Sequence, residues 1–83
     1  MNTPRTLSAI AIEIAGDWGP RGKGIYFGAV PYLQALAQLE TVDDVYGYDD
    51  ARGIVRYFLC NAKSWRGDVA RRVKAELLEM VDA

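Results

Sequence analysis

Histidine is absent from this 83-residue chain, cysteine occurs once (Cys60) and proline only three times. Without histidine no side chain titrates unaided between pH 5 and 8, and a Cys–His nucleophile pair is excluded. A single cysteine closes no internal disulfide, so a reducing cytoplasm is the expected compartment. The Cys, Asp and Glu spacings match no metal-ligand pattern, and no cofactor is expected. The longest apolar stretch near the start, Ile10–Ala15, is broken by Glu13 and is too short for a signal peptide. Nothing approaches the roughly 20 apolar residues of a membrane span, so no membrane partner is expected. Ten basic against eleven acidic residues leave a net charge of −1, which excludes strong overall attraction to polyanions.

What is present is apolar and aromatic. An apolar share of 51% with 25% charged residues is a globular composition. At this length one small domain, residues 1–83, is expected to bury about 60–65% of the surface its unfolded chain exposes. Charge is unevenly spread. Glu40, Asp43, Asp44, Asp49 and Asp50 fall in one segment without a base, whereas Ala51–Lys74 carries seven bases and only Asp68 as an acid.

Periodicity predicts an all-α fold, a compact orthogonal bundle of four short helices over 4–18, 29–40, 50–61 and 65–81. Thr3-Pro4 is a suitable start for the first, whose apolar stripe is Leu7, Ile10, Ala11, Ile14 and Trp18, and Gly19-Pro20 ends it. Tyr26 and Phe27 are expected to anchor the second, with Pro31 in its first turn and Leu33, Leu36, Ala37 and Leu39 facing inward. Asp49 or Asp50 caps the third, where Ala51, Ile54, Val55, Phe58 and Leu59 follow helical spacing, and Asn61 closes it. Ser64 is expected to cap the fourth, with Trp65, Val69, Val73, Leu77 and Met80 inward and Asp68 near its positive end. No segment alternates as a half-buried strand does, and only Gly24–Phe27 comes near.

Each pattern that suggests chemistry has a plainer reading. The loop Gly19–Gly24 is basic and glycine-rich, but the spacing from Gly16 to Gly22 and the Gly24 after Lys23 break the phosphate-loop pattern, and no strand precedes it. The acids of Glu40–Asp50 lack the alternation, the glycine at six and the glutamate at twelve of a calcium loop. Cys60 lies about 200° around the helix from Phe58, off the apolar stripe, with no base to activate it. Trp18, Tyr26, Phe27, Tyr32, Phe58 and Trp65 are expected to fill the core.

Two apolar residues fall off the stripes. Ile12 lies about 160° from both Ile10 and Ile14, and Leu78 is flanked by Arg71 and Lys74. Together Ile12, Arg71, Lys74 and Leu78 are the expected partner-binding set, a sticky patch rimmed by charge. A second reading makes the last two helices a helix-turn-helix unit with Arg66, Arg71, Arg72 and Lys74 on phosphates. Glu76, Glu79 and Asp82 on the same helix weigh against it.

The blocks Ala15-Gly16-Asp17-Trp18, Tyr26-Phe27-Gly28-Ala29-Val30-Pro31-Tyr32-Leu33, Tyr46-Gly47-Tyr48-Asp49, Ile54-Val55-Arg56-Tyr57-Phe58-Leu59 and Trp65-Arg66-Gly67 resemble a group of small helical proteins. These are encoded by bacteriophages, prophages and integrative elements of Gram-positive bacteria. The resemblance spans about Leu7 to Leu77, and the loop Gly19–Gly24 looks longer than the group's usual connection. The group has no established activity, so no site residue is carried over. The resemblance implies a small accessory protein of a mobile element in a bacterial cytoplasm. The expected function is therefore non-enzymatic binding of a bacterial host or phage protein. Nucleic acid ranks second, and a virion component or self-assembling homo-oligomer ranks third.

Overall fold

The computed structural model describes residues 4–19 and 24–82. Four helices form: α1 (Leu7–Trp18), α2 (Val30–Leu36, entered through a 3-10 turn at Phe27–Ala29), α3 (Ala51–Cys60) and α4 (Asp68–Asp82). Between α2 and α3 a short antiparallel hairpin pairs β1 (Val45–Tyr46) with β2 (Asp49–Asp50). The chain is mostly helical as expected, but the hairpin corrects the all-α reading. Gly47, at φ +63°, takes the first central position of its two-residue turn, where a type II′ turn demands a positive φ. The segment Gly24–Phe27, the nearest to a strand by pattern, forms none.

Helix ends follow from local donors and acceptors. The α1 cap is Thr6, whose hydroxyl accepts the Ala9 N–H at 3.1 Å. Pro4 therefore precedes the helix, and Thr3 lies outside the described residues. The first two amides of α1 donate to the carbonyls of Glu40 and Leu39, both at 2.9 Å. This ties the start of α1 to the chain leaving α2 and satisfies donors a helix cannot pair internally. The Gly19 N–H returns to the Ala15 carbonyl, and a Cβ at Gly19 would sit 2.8 Å from that oxygen. Most of the Gly19–Gly24 loop lies outside the described residues.

Asp50 caps α3 by accepting the Gly53 N–H at 2.6 Å, and the Asn61 side chain closes it by donating to the Tyr57 carbonyl at 2.8 Å. The α4 helix starts at Asp68, not Trp65, so Ser64 lies outside it and caps nothing. At its far end Arg52 donates to the Val81 and Met80 carbonyls at 3.0 and 3.4 Å, and Arg56 to Val81 at 3.3 Å. Cationic donors belong at this negative end of the helix dipole.

The helices pack in cyclic order, with α1 against α2 and α4, and α3 against the same two. The core takes Leu7, Ile10 and Ile14 from α1, Leu36 from α2, Val55 and Phe58 from α3, and Val73 and Leu77 from α4. Each stripe matches its expected spacing with local shifts. Ala35 rather than Ala37 faces inward on α2. On α4 Ala70 and Val81 are buried, while Val69 and Met80 are half-buried.

Three aromatic rings belong to the core. Trp18 meets Phe58 edge-on at 6.3 Å and stacks on Trp65 at 5.7 Å. Trp65 is buried from the α3–α4 connection and not from a helix. Tyr26 and Phe27 are exposed, which corrects their assignment to core volume, whereas Tyr32 is half-buried and packs against the core's edge.

Candidate functional site

The exposed rings gather along the seam between α2 and α3. Gly28 allows the two elements to close: a Cβ there would lie 2.6 Å from the Tyr26 ring and 2.8 Å from Asn61 Oδ1. One turn further along, Tyr32 of α2 stacks on Tyr57 of α3 at 5.6 Å and 23°. At the entrance to α2, Tyr26 and Phe27 pack ring to ring at 4.8 Å. Phe27 is 79% exposed and Tyr57 58%. The α2–α3 seam thus carries two touching ring pairs, with Tyr26, Phe27 and Tyr57 exposed and Tyr32 half-buried. Tyr46 and Tyr48 add exposed rings on the hairpin before α3.

Ordinary surface positions do not require this. Tyrosine and phenylalanine are enriched at the buried centres of protein interfaces, because they bring large contact area at low conformational cost. The helical wheel gives the signal for Tyr57. It stands about 100° from Phe58, off the stripe that starts at Ala51, and so must point away from the core. Tyr26 and Phe27 precede any regular period, and nothing in their spacing separates core from surface.

A basic cleft lies at the α3–α4 connection. It is a shallow opening of about 250 Å³ lined by Trp65, Arg66, Gly67, Ala70, Arg71 and Lys74. Lys74 Nζ donates to the Trp65 carbonyl at 2.7 Å and sits 5.8 Å from the indole centroid. Burial, and then the nearby Arg66 charge, hold the Lys74 amine below the ordinary lysine pKa. Arg71 pairs with Asp68 at 2.6 Å, but both side chains are largely exposed. Arg72 is not in this cleft and reaches across to Glu13 on α1.

The partner set expected from sequence is therefore divided. Arg71 and Lys74 share the cleft with Arg66. Ile12 is 73% exposed and Leu78 49%, each on the outer side of its helix. Glu76 and Arg72 are the α4 side chains that reach toward α1, through Arg5 and Glu13. Leu78 is about 200° around α4 from Glu76, and Ile12 about 100° around α1 from Glu13. The α1–α4 contact does not bring the two together.

Another cavity, of about 480 Å³, is walled by Pro4, Val42 and Met80, with Arg5, Arg52 and Asp43 at its edge. Arg52 pairs with Asp43 at 3.2 Å, and Arg5 pairs with Glu13 and Glu76, so these charges already have partners. Among the described residues no three Cys, Asp or Glu side chains gather in a group able to hold a metal ion. Among them, too, no helix is long and apolar enough to cross a membrane. No family model, curated protein or solved structure matches the chain. The candidate site rests on its geometry.

Proposed function

We propose that this chain is a non-enzymatic binding module, a small accessory protein of a bacteriophage or other mobile element, acting in the bacterial cytoplasm. It works sterically, by laying a preformed surface over a site on a host or phage protein. The observation that carries this reading is the set of paired rings Tyr26–Phe27 and Tyr32–Tyr57 on one helix seam, of which Tyr26, Phe27 and Tyr57 are exposed. Tyr32 and Tyr57 are held on their helices by stacking, and Tyr26 and Phe27 by their mutual ring contact, so little side-chain freedom is lost when they dock. We read the four helices beneath them as an orthogonal bundle, a stiff support for such a surface.

The nucleic-acid reading draws on fewer groups than the sequence suggests. Of Arg66, Arg71, Arg72 and Lys74, Arg72 is engaged by Glu13, and Arg71 only by an exposed pair with Asp68. The three cations Arg66, Arg71 and Lys74 would give a salt slope of only about −3 in log K against log salt.

The test is affinity capture from the bacterial host with native protein and with a Phe27→Ser/Tyr57→Ser variant. The expected result is one partner, bound saturably by native protein and lost from the variant while the fold persists. Equal recovery by both proteins removes the aromatic seam as the docking face.

A further inference from the structure

Building on that docking reading, we infer that the cleft formed by Trp65, Arg66, Gly67, Ala70, Arg71 and Lys74 receives an acidic, carboxylate-bearing segment of the partner protein. Three of its six lining residues are cationic and none is acidic. The Lys74 ammonium is held in the wall by the Trp65 carbonyl, which uses one of its three donors. Arg66 lies close enough for its charge to act on Lys74, and among the described residues neither has an acid partner. Two like charges line one opening whose six lining residues include no acid. A carboxylate entering there replaces repulsion by charge-assisted hydrogen bonds.

Arg71 adds a third donor group at small cost. Its pair with Asp68 is solvent-exposed, and exposed pairs contribute about 0–1 kcal/mol, so the guanidinium can exchange Asp68 for an incoming acid. Gly67 keeps the opening clear. Its φ of +113° disfavours any side chain, and beyond its own chain neighbours no atom lies within 4 Å of where a Cβ would stand.

An acidic peptide suits the cleft better than a nucleic acid. Binding of single strands relies on rings exposed for base stacking as well as cations. Trp65, the aromatic residue of this cleft, is already stacked on Trp18 and only 2% exposed. The acidic connection Glu40–Asp50 and the net negative charge further oppose a long polyanion.

The test is fluorescence anisotropy at low salt with a labelled hexaglutamate peptide, a hexaglutamine control and a ten-nucleotide single-stranded DNA. Hexaglutamate alone is expected to saturate, with affinity falling as salt rises. Arg66→Ala and Lys74→Met should each weaken it about tenfold, the loss of one charge-assisted hydrogen bond. Arg66 is exposed, so unchanged near-ultraviolet dichroism in Arg66→Ala separates lost binding from lost folding. Preference for the DNA, equal binding of hexaglutamine, or indifference to both substitutions overturns the assignment. Self-association seen by sedimentation without peptide binding also overturns it, giving the cleft to the acidic connection of a second copy. Host-partner capture that survives Arg66→Ala/Lys74→Met but fails in Phe27→Ser/Tyr57→Ser sinks this inference alone. Capture that is equal for the native and Phe27→Ser/Tyr57→Ser proteins sinks the docking reading instead.

Discussion

The Trp65 indole N–H donates to the Asp17 carboxylate at 2.9 Å, joining the α3–α4 connection to the last turn of α1 across 48 positions of sequence. The same ring stacks on Trp18, the next residue along α1. One side chain therefore supplies both a core ring and a directed polar tie between two distant segments. Trp65→Phe keeps most of the ring and removes the donor, and should cost about 1–2 kcal/mol. Trp65→Ala also empties the stack and should cost about 3–5 kcal/mol. Urea midpoints for the two variants against native protein measure both values.

Acid should weaken the fold through Glu13 and Asp44. Arg72 and then Arg5 hold the Glu13 carboxyl below its ordinary value of 4.5, through direct hydrogen bonds. The backbone N–H groups of Thr41 and Glu40 hold Asp44 below 3.8. A depressed folded-state pKa means the unfolded chain binds protons first. The stabilisation is thus fully present above about pH 5 and is lost as pH falls through the folded-state values. Urea midpoints should be level from pH 7 to pH 5 and fall below pH 4. Glu13→Gln should start lower at pH 7 and fall less steeply.

The end of α4 depends on α3. Arg52 donates to two α4 carbonyls and Arg56 to one of the same pair. Arg52→Ala removes hydrogen bonds from a charged donor and a favourable dipole contact, together about 1–2 kcal/mol. Amide exchange should then quicken in the last turn of α4 more than in α1. Asp50→Ala removes the cap of α3 and should cost about 1 kcal/mol, read from the thermal midpoint.

Much of this architecture is legible before folding. The stripes of α1 and α3 predict their buried residues, with Leu59 only half-buried, because each repeats at helical spacing over two or three turns. Asp50, Asn61 and Gly19 act at helix ends by residue chemistry alone. Trp65 differs, since a residue just before a helix has the same spacing to Val69 as one within it. The stack on Trp18 and the hydrogen bond to Asp17, both long-range contacts, fix its place. The hairpin is short, and its four strand residues are all exposed, so no buried alternation marks it. Gly47 between two tyrosines is its one local sign. The aromatic seam needs the α2–α3 pairing, which no local pattern of Tyr26 or Phe27 contains. The Arg66–Lys74 cleft likewise depends on the backbone turn at Gly67, whereas Arg71 and Lys74 were legible as neighbours one turn apart.

Surface and core rings should separate sharply on substitution. Tyr57 and Phe58 are adjacent, one on the seam and one fully buried. Tyr57→Ser should change stability by no more than about 0.5–1 kcal/mol, the Tyr32 stack being its main loss. Phe58→Ala should cost about 3–5 kcal/mol. Thermal midpoints of the two variants make the comparison on adjacent sites.

Site-specific photocrosslinking in host lysate tests the docking face most directly, with a photoreactive phenylalanine placed in turn at positions 27, 57, 12 and 78. A single adduct of constant mass at 27 and 57, absent at 12 and 78, is the predicted result. An adduct confined to 12 or 78, or identical background at all four positions, contradicts it.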